Sequence, residues 1–205
     1  LDAIDHDAMI ALARHGARVL HPECVEYASR HGVALFAKAT FGPRDDKGTV
    51  IRQNPTAPDR PVVAIAHRSK VAEVRVDGGH DSAVLIDTMA AAGAYPIFAA
   101  LERQRASAVV SLDDAHRLEL LKERLTHAFG ERVTVEDQRG TVSFIGPGLG
   151  SETALLKQSW TLAKQIAGER ADCSLAPMSL CWTLPTEHVE EFVRRSHKEL
   201  IENWS

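Results

Sequence analysis

The chain has little cysteine and puts none of it in pairs. Cys24, Cys173 and Cys181 are scattered through 205 residues without a CxxC motif. An odd, sparse set argues against a disulfide framework and for reduced, buried thiols in a cytoplasmic protein. Long apolar runs are missing too. No stretch approaches the roughly 20 residues that span a bilayer, and residues 1–15 lack the basic start and apolar middle of a signal peptide. No membrane partner is expected. Nor is there an excess of positive charge, and a formal net charge of -4 gives no field to draw in nucleic acid. The ten histidines do not recur at metal-ligand spacing. His21 and Cys24 can share a helical face, but no further ligand stands near them in sequence, so no metal is expected. A Ser-His-Asp order and a nucleophile elbow are both missing, and Asp113 and Asp114 sit where helix caps belong. On residues alone, no catalytic residue is identified.

What is present is an ordinary globular composition, 44% hydrophobic and 25% charged, long enough for one large domain or two small ones. The chain starts at Leu1 rather than Met and enters a helical pattern almost at once, so a natural chain continuing upstream is expected. Residues 5–16 read as a helix capped by Asp5 and ended by Gly16, and a second helix starts at Pro22 and stops at Gly32. Strands follow at 33–40 and 49–52. The stretch 53–61, with three prolines, reads as a linker. Beyond it come strands at 62–67 and 71–76, a helix at 81–93, and strands at 95–101 and 106–112. A helix capped by Asp113 then repeats Leu118, Leu121, Leu125 and Phe129 at helical spacing. Strands at 132–137 and 140–145, separated by a turn near Gln138 and Arg139, lead to a helix opened by Ser151 and ended by Gly168. Two strands around Leu175 and 181–184 and a last helix, capped by Thr186 and carrying Phe192, Leu200 and Trp204, complete the chain.

An internal repeat orders these elements. Residues 109–121 lie over 181–193 at a constant offset of 72, matching Leu112 with Leu184, His116 with His188 and Glu119 with Glu191. Each copy is a strand running into a helix, and the two histidines read as solvent-facing helix positions. The fold class expected is α+β, with two ferredoxin-like βαββαβ units, because four strands under two helices make a complete small domain. Two glycine-rich loops precede helices. At 146–151 the spacing fits neither dinucleotide nor P-loop patterns, and Pro147 removes a donor, so a tight turn is the better reading. At 76–82 the glycines free backbone N–H groups at a helix start, which suits a carboxylate or other small anion, although a plain turn is the reading the residues favour.

The stretch 16–51 resembles the end of the catalytic domain of aspartate kinases. Gly16, Ala17, Val19, Leu20, His21, Pro22, Val25, Glu26, Gly32, Val33, Phe41, Gly48, Thr49 and Ile51 stand in the family's register, with Arg18 replacing Lys and Ala39–Thr40 replacing Ser-Ser. The family's tandem ACT modules, ferredoxin-like units that sense amino acids, are similar in pattern to the remainder. The resemblance implies residues 1–52 as the end of the kinase domain and 53–61 as a linker. It implies a first ACT module at 70–138, inserted into a second made of 62–69 and 139–205. The family's Lys-Phe-Gly-Gly-Thr stretch has no counterpart here, so these residues alone are expected to be inactive. No cofactor is expected in this region, whereas the parent kinase would use ATP and Mg to phosphorylate the β-carboxylate of aspartate.

By the same resemblance, the effector would lie against Asp77, Gly78, Gly79, His80, Asp81, Ser82, Tyr95 and Ile97, and ACT modules would pair edge to edge into a homodimer. Asp77 keeps the family's first loop residue, but Gly78, Gly79 and His80 replace Lys-Pro-Gly, and Tyr95, Pro96 and Ile97 replace Asn-Ile-Asp. Each polar partner lost from a buried site costs about 1–3 kcal/mol. Lysine or threonine, the usual effectors, are therefore expected to bind weakly or not at all. An alternative reading is a stand-alone amino-acid-binding regulatory subunit without catalytic activity.

Overall fold

The computed structural model describes every residue except 42–46, 56–59, 79–81, 113–114 and 203–205, and also leaves out the side chains of Ala115 and His116. The expected Asp113 cap and Trp204 therefore fall outside the described residues. The chain divides into two compact units. The first holds Leu1–His67, Val142–Trp182 and Glu190–Ser205, and the second Arg68–Thr141 and Thr183–Val189. Helices and strands occur in both, and the fold class is α+β.

In the first unit, local chemistry sets the opening hairpin. Asp5 accepts the Asp7 N–H at 2.9 Å and starts α1 (His6–Arg14). Pro22 occupies the first turn of α2 (Pro22–Arg30), where its missing N–H costs nothing. β1 (Ala3–Ile4) pairs in parallel with β3 (Thr49–Ile51), and β2 (Leu35–Ala37) pairs with β3 antiparallel. The β2 strand is shorter than the 33–40 expected. Ile4, Met9, Val25 and Ile51 bury themselves together with Val63 and Ile145, so the hairpin shares one core with residues far along the chain. Gly146 permits a close approach there, since a Cβ would collide with the Pro61 carbonyl.

The later elements of this unit are α5 (Thr153–Ala167), β8 (Asp172–Ala176), the start of β9 (Ser179–Pro185) up to Trp182, and α6 (Val189–His197) from Glu190 on. A short 3-10 turn, Leu149–Ser151, precedes α5, so Ser151 ends that turn rather than opening the helix. Another, Thr186–His188, belongs to the second unit and begins at Thr186, so Thr186 opens that turn rather than capping α6. Phe144, Trp182 and Phe192 are buried as a cluster, with ring centroids 6.0 and 6.1 Å apart for the two pairs that include Phe192.

The second unit runs β4 (Ala64–Asp77), α3 (Ser82–Ala91), β5 (Pro96–Leu101), β6 (Arg105–Ser111), α4 (Ala115–Phe129), β7 (Val133–Ile145), a βαββαβ order. The strands lie β5-β6-β4-β7. Register runs from Val71 opposite Ser111 to Asp77 opposite Arg105, and Leu101 faces Ala106. Ala72, Val74, Val76, Ala106, Ala108 and Val110 pack against Leu85 and Met89 of α3 and Leu121, Leu125 and Phe129 of α4. This is the inward stripe that helical and alternating periodicity predict.

Two expected breaks do not occur. β4 is one strand where two were expected, and β7 runs through Gln138 and Arg139, where a turn was expected. Of the two polar residues that read as a turn, Gln138 is exposed and Arg139 points inward to partners. Arg139, only 3% exposed, pairs with Glu73 at 2.9 Å and donates to the Thr183 carbonyl at 3.5 Å. Arg75 joins the same carboxylate at 2.7 Å. Gly140 serves packing rather than turning, since a Cβ there would strike Val189 and lie 2.8 Å from the Arg68 carbonyl.

Removing one member of this pair leaves the other buried with only a partly exposed partner, Arg75 for Glu73 or Glu136 for Arg139. Arg139→Met should lower the unfolding free energy by about 3–5 kcal/mol, and Glu73→Met combined with it should recover much of that loss. Urea titration of the three chains checks the ordering; equal losses in single and double variants would refute it.

Candidate functional site

Asp77 ends β4 at the margin of the second unit, and its carboxylate accepts from Arg105 Nε at 2.8 Å. That exposed bond raises the arginine's pKa above its ordinary value. Gly78 follows with φ 86, a conformation open to glycine at little cost, and its N–H donates to the Gln104 carbonyl at 2.9 Å. Ser82 opens α3. Gly79, His80 and Asp81 lie outside the described residues.

Tyr95 and Ile97 stand elsewhere. α3 carries the chain back along the sheet, Gly93 turns it at φ 65, and Tyr95 emerges 74% exposed just before β5. Pro96 lies opposite Val110, whereas Asp77 lies opposite Arg105. Five residues of β6 separate those positions, about 17 Å at ~3.4 Å per residue. Within one chain, then, Asp77, Gly78 and Ser82 share one end of the sheet, and Tyr95 and Ile97 lie towards the other. A register irregularity between Pro96 and Phe98 surrounds Ile97.

Near Tyr95 the structure holds a feature that periodicity did not reveal. A cavity of about 210 Å³ is lined by Tyr95, Ser111, Arg117 and an apolar floor that includes Ala94, Val110 and Leu121. Arg117 lies in the first turns of α4, on the exposed side of a stripe read only for its leucines.

A second juxtaposition was also missed. His15 Nδ1 and Ser143 Oγ are 2.8 Å apart, and Ser143 donates to Cys181 Sγ at 3.1 Å. No sequence spacing links residues 128 positions apart. Ser143 is wholly buried, and burial pushes the Cys181 thiol up to about 12, so this is a packed polar link rather than an exposed nucleophile. Burial also raises Cys173, to about 11. The expectation of three buried thiols holds for Cys181 alone: Cys173 is half-buried, and Cys24 is exposed on α2. His188 is half-buried in its short turn rather than solvent-facing, and the His116 side chain lies outside the described residues. The 146–151 loop turns through Gly148 at φ 76 into the 3-10 turn. No described helix is long and apolar enough to cross a membrane.

Native-state alkylation should label Cys24 readily and Cys181 only on unfolding. The folded chain holds the Cys181 proton above the ordinary value of 9.0, where the unfolded chain releases it. Stability should therefore fall as pH rises from there toward about 12, and Cys181→Ala should flatten that slope when unfolding is followed against pH.

No family model matches the chain. A curated relative, the aspartokinase of Thermus thermophilus, is 26% identical over 211 aligned residues, covering 97% of this chain and 51% of the relative. Aspartokinase III of E. coli, solved in complex with lysine and aspartate, superposes with a TM-score of 0.77 at 22% identity, covering 98% of this chain and 46% of that one. The regulatory subunit of aspartate kinase from Thermus thermophilus, in its ligand-free form, matches 68% of this chain and 98% of its own, with a TM-score of 0.56 at 20% identity. The chain spans about half the length of the curated relatives it matches. Over nearly all of its length the chain is thus similar to aspartokinases, and two thirds of it shares the fold of a separately solved aspartokinase regulatory subunit.

Proposed function

We propose that the chain is the regulatory region of an aspartate kinase, acting as an amino-acid-sensing dimer. The parent enzyme would transfer a phosphoryl group from ATP, with Mg, to the β-carboxylate of aspartate. ATP and Mg would belong to that parent. Residues 1–52 are the end of the kinase domain and 53–61 the linker. Residues 70–138 are the inserted sensor module, and 62–69 with 139–205 the second.

One observation carries the dimer. The effector residues implied by the resemblance fall into two groups at opposite ends of one sheet, and β5, the strand beside which Tyr95 and Ile97 stand, lies at the end of the strand order. An edge strand presents unpaired backbone donors and acceptors to another chain. If β5 pairs antiparallel with its own copy about a two-fold axis, the Tyr95 end of one chain comes to the Leu101 end of the other. Leu101 lies at the same end of the sheet as Asp77 and Gly78, since it faces Ala106 while Asp77 faces Arg105. The two groups then meet only across the interface. Ala99, Ala100 and Leu101 are exposed on this strand, consistent with a surface kept for pairing.

Light scattering after gel filtration should find a dimer. Ala99→Lys, which sets like charges face to face near the two-fold, should yield monomers. A thermal-shift screen of the dimer against the amino acids should then name the effector, with Asp77→Ala abolishing its shift. A monomeric wild-type chain would sink the proposal, as would an effector shift indifferent to Asp77.

A further inference from the structure

We propose that Arg105 is a specificity-determining residue of the effector site. It holds Asp77 in a neutral ion pair, so that the site turns away amino acids with a cationic side chain and admits those with an uncharged one. The inference rests on the effector lying against Asp77, as proposed above, and deepens that reading by naming the class of ligand.

Backbone register fixes the pair. Asp77 and Arg105 stand directly opposite each other on β4 and β6, and the Asp77 carboxylate accepts from Arg105 Nε at 2.8 Å. Two backbone bonds hold the β5–β6 turn to the start of the loop. The Glu102 N–H donates to the Arg105 carbonyl at 2.8 Å, and the Gly78 N–H donates to the Gln104 carbonyl at 2.9 Å. Residues opposed on adjacent strands are brought together by the sheet itself, and opposite charges there attract. An exposed ion pair adds little to stability. This one matters for what it presents: the two side chains are 57% and 64% exposed, so a ligand at this end of the sheet meets both charges together.

Charge then decides which side chains are admitted. A carboxylate standing alone would attract the ammonium of a lysine side chain. Here it is matched by a guanidinium one hydrogen bond away, and Asp77 stabilises the charged form of that guanidinium first through the bond and then through its charge. Arginine stays cationic wherever lysine is cationic. An approaching ammonium group therefore gains attraction from Asp77 and meets repulsion from Arg105. Arg75 and Glu102 act on Arg105 more weakly and with opposite signs, which leaves the balance to the pair. An uncharged side chain meets no such repulsion. The exclusion is carried by a strand and not by the loop, so it adds to the loop substitutions at Gly78 and beyond.

Calorimetric titration of the full chain with L-lysine, and with L-norleucine as the same carbon skeleton without the side-chain ammonium, tests the assignment. Arg105→Ala should strengthen lysine binding by about fivefold or more, since one repulsion is removed and one attraction unmasked. Arg105→Glu should strengthen it further, and the gain should shrink as salt is raised. Norleucine should respond little to Arg105→Ala. Asp77→Asn combined with Arg105→Ala should lose the lysine gain. Both side chains are exposed, and circular dichroism will confirm that the variants fold. Equal lysine affinity in the wild type and Arg105→Ala overturns the proposal. So does a gain shared equally by norleucine, or one that survives Asp77→Asn. A chain that remains a dimer by light scattering then leaves the interfacial sensor standing. A lysine gain in a chain that proves monomeric supports the role of Arg105 while the dimeric sensor falls.

Discussion

Glu73 and Arg139 approach to 2.9 Å with side chains 6% and 3% exposed, joining β4 to β7. Neither charge is tolerable there alone, because taking an ion out of water costs several kcal/mol that only a well-placed partner offsets. The pair therefore acts more on register than on net stability. Slipping one strand by a residue would turn its whole side-chain set to the other face and separate the charges. Arg75 shares the Glu73 carboxylate and also reaches Glu136 at 3.6 Å, so residues from both strands hold a single alignment. β4 and β7 begin and end the βαββαβ order, and fixing them fixes the frame that carries β6, β5 and both helices.

That same pair explains where reading the chain by pattern failed. Gln138, Arg139 and Gly140 have the polarity and glycine of a turn, and nothing local distinguishes a turn from a strand whose arginine finds a buried carboxylate 66 residues away. The long polar stretch in β4, from His67 to Lys70, misled in the same manner. Where chemistry is local, reading succeeded: Asp5 caps α1, Pro22 begins α2, and Gly168 ends α5 at φ 61. The stripe of Leu121, Leu125 and Phe129 is buried as its spacing requires. The 72-residue repeat was legible because it records one supersecondary unit used twice, with β6 into α4 in one copy and β9 into α6 in the other.

The site was less legible than the fold. Resemblance over a loop and a strand start gave a set of residues without saying whether they touch. Register answers that, since about five residues of β6 stand between the Asp77 and Tyr95 ends. Arg117 went unread because a cation in the first turns of a helix ordinarily denotes a solvated face. Its bond to the Gly93 carbonyl joins two elements that no sequence spacing relates. His15 and Ser143 likewise depend on a fold that unites an opening hairpin with a strand far along the chain.

The substitutions at Gly78 and at Tyr95–Ile97 bear on ligand and assembly in different ways, because the two rest on different chemistry. Edge pairing is made by backbone N–H and C=O groups, which every residue but proline supplies alike. Pro96 stands at the first position of β5, where a missing donor disturbs a ladder least. Ligand recognition is made by side chains, and each buried partner lost weighs by itself. A sensor built on a sheet edge can therefore exchange its ligand, or give it up, while keeping its dimer. In the proposed sensor, divergence at the loop and at the strand start would bear on specificity, and the edge itself on assembly.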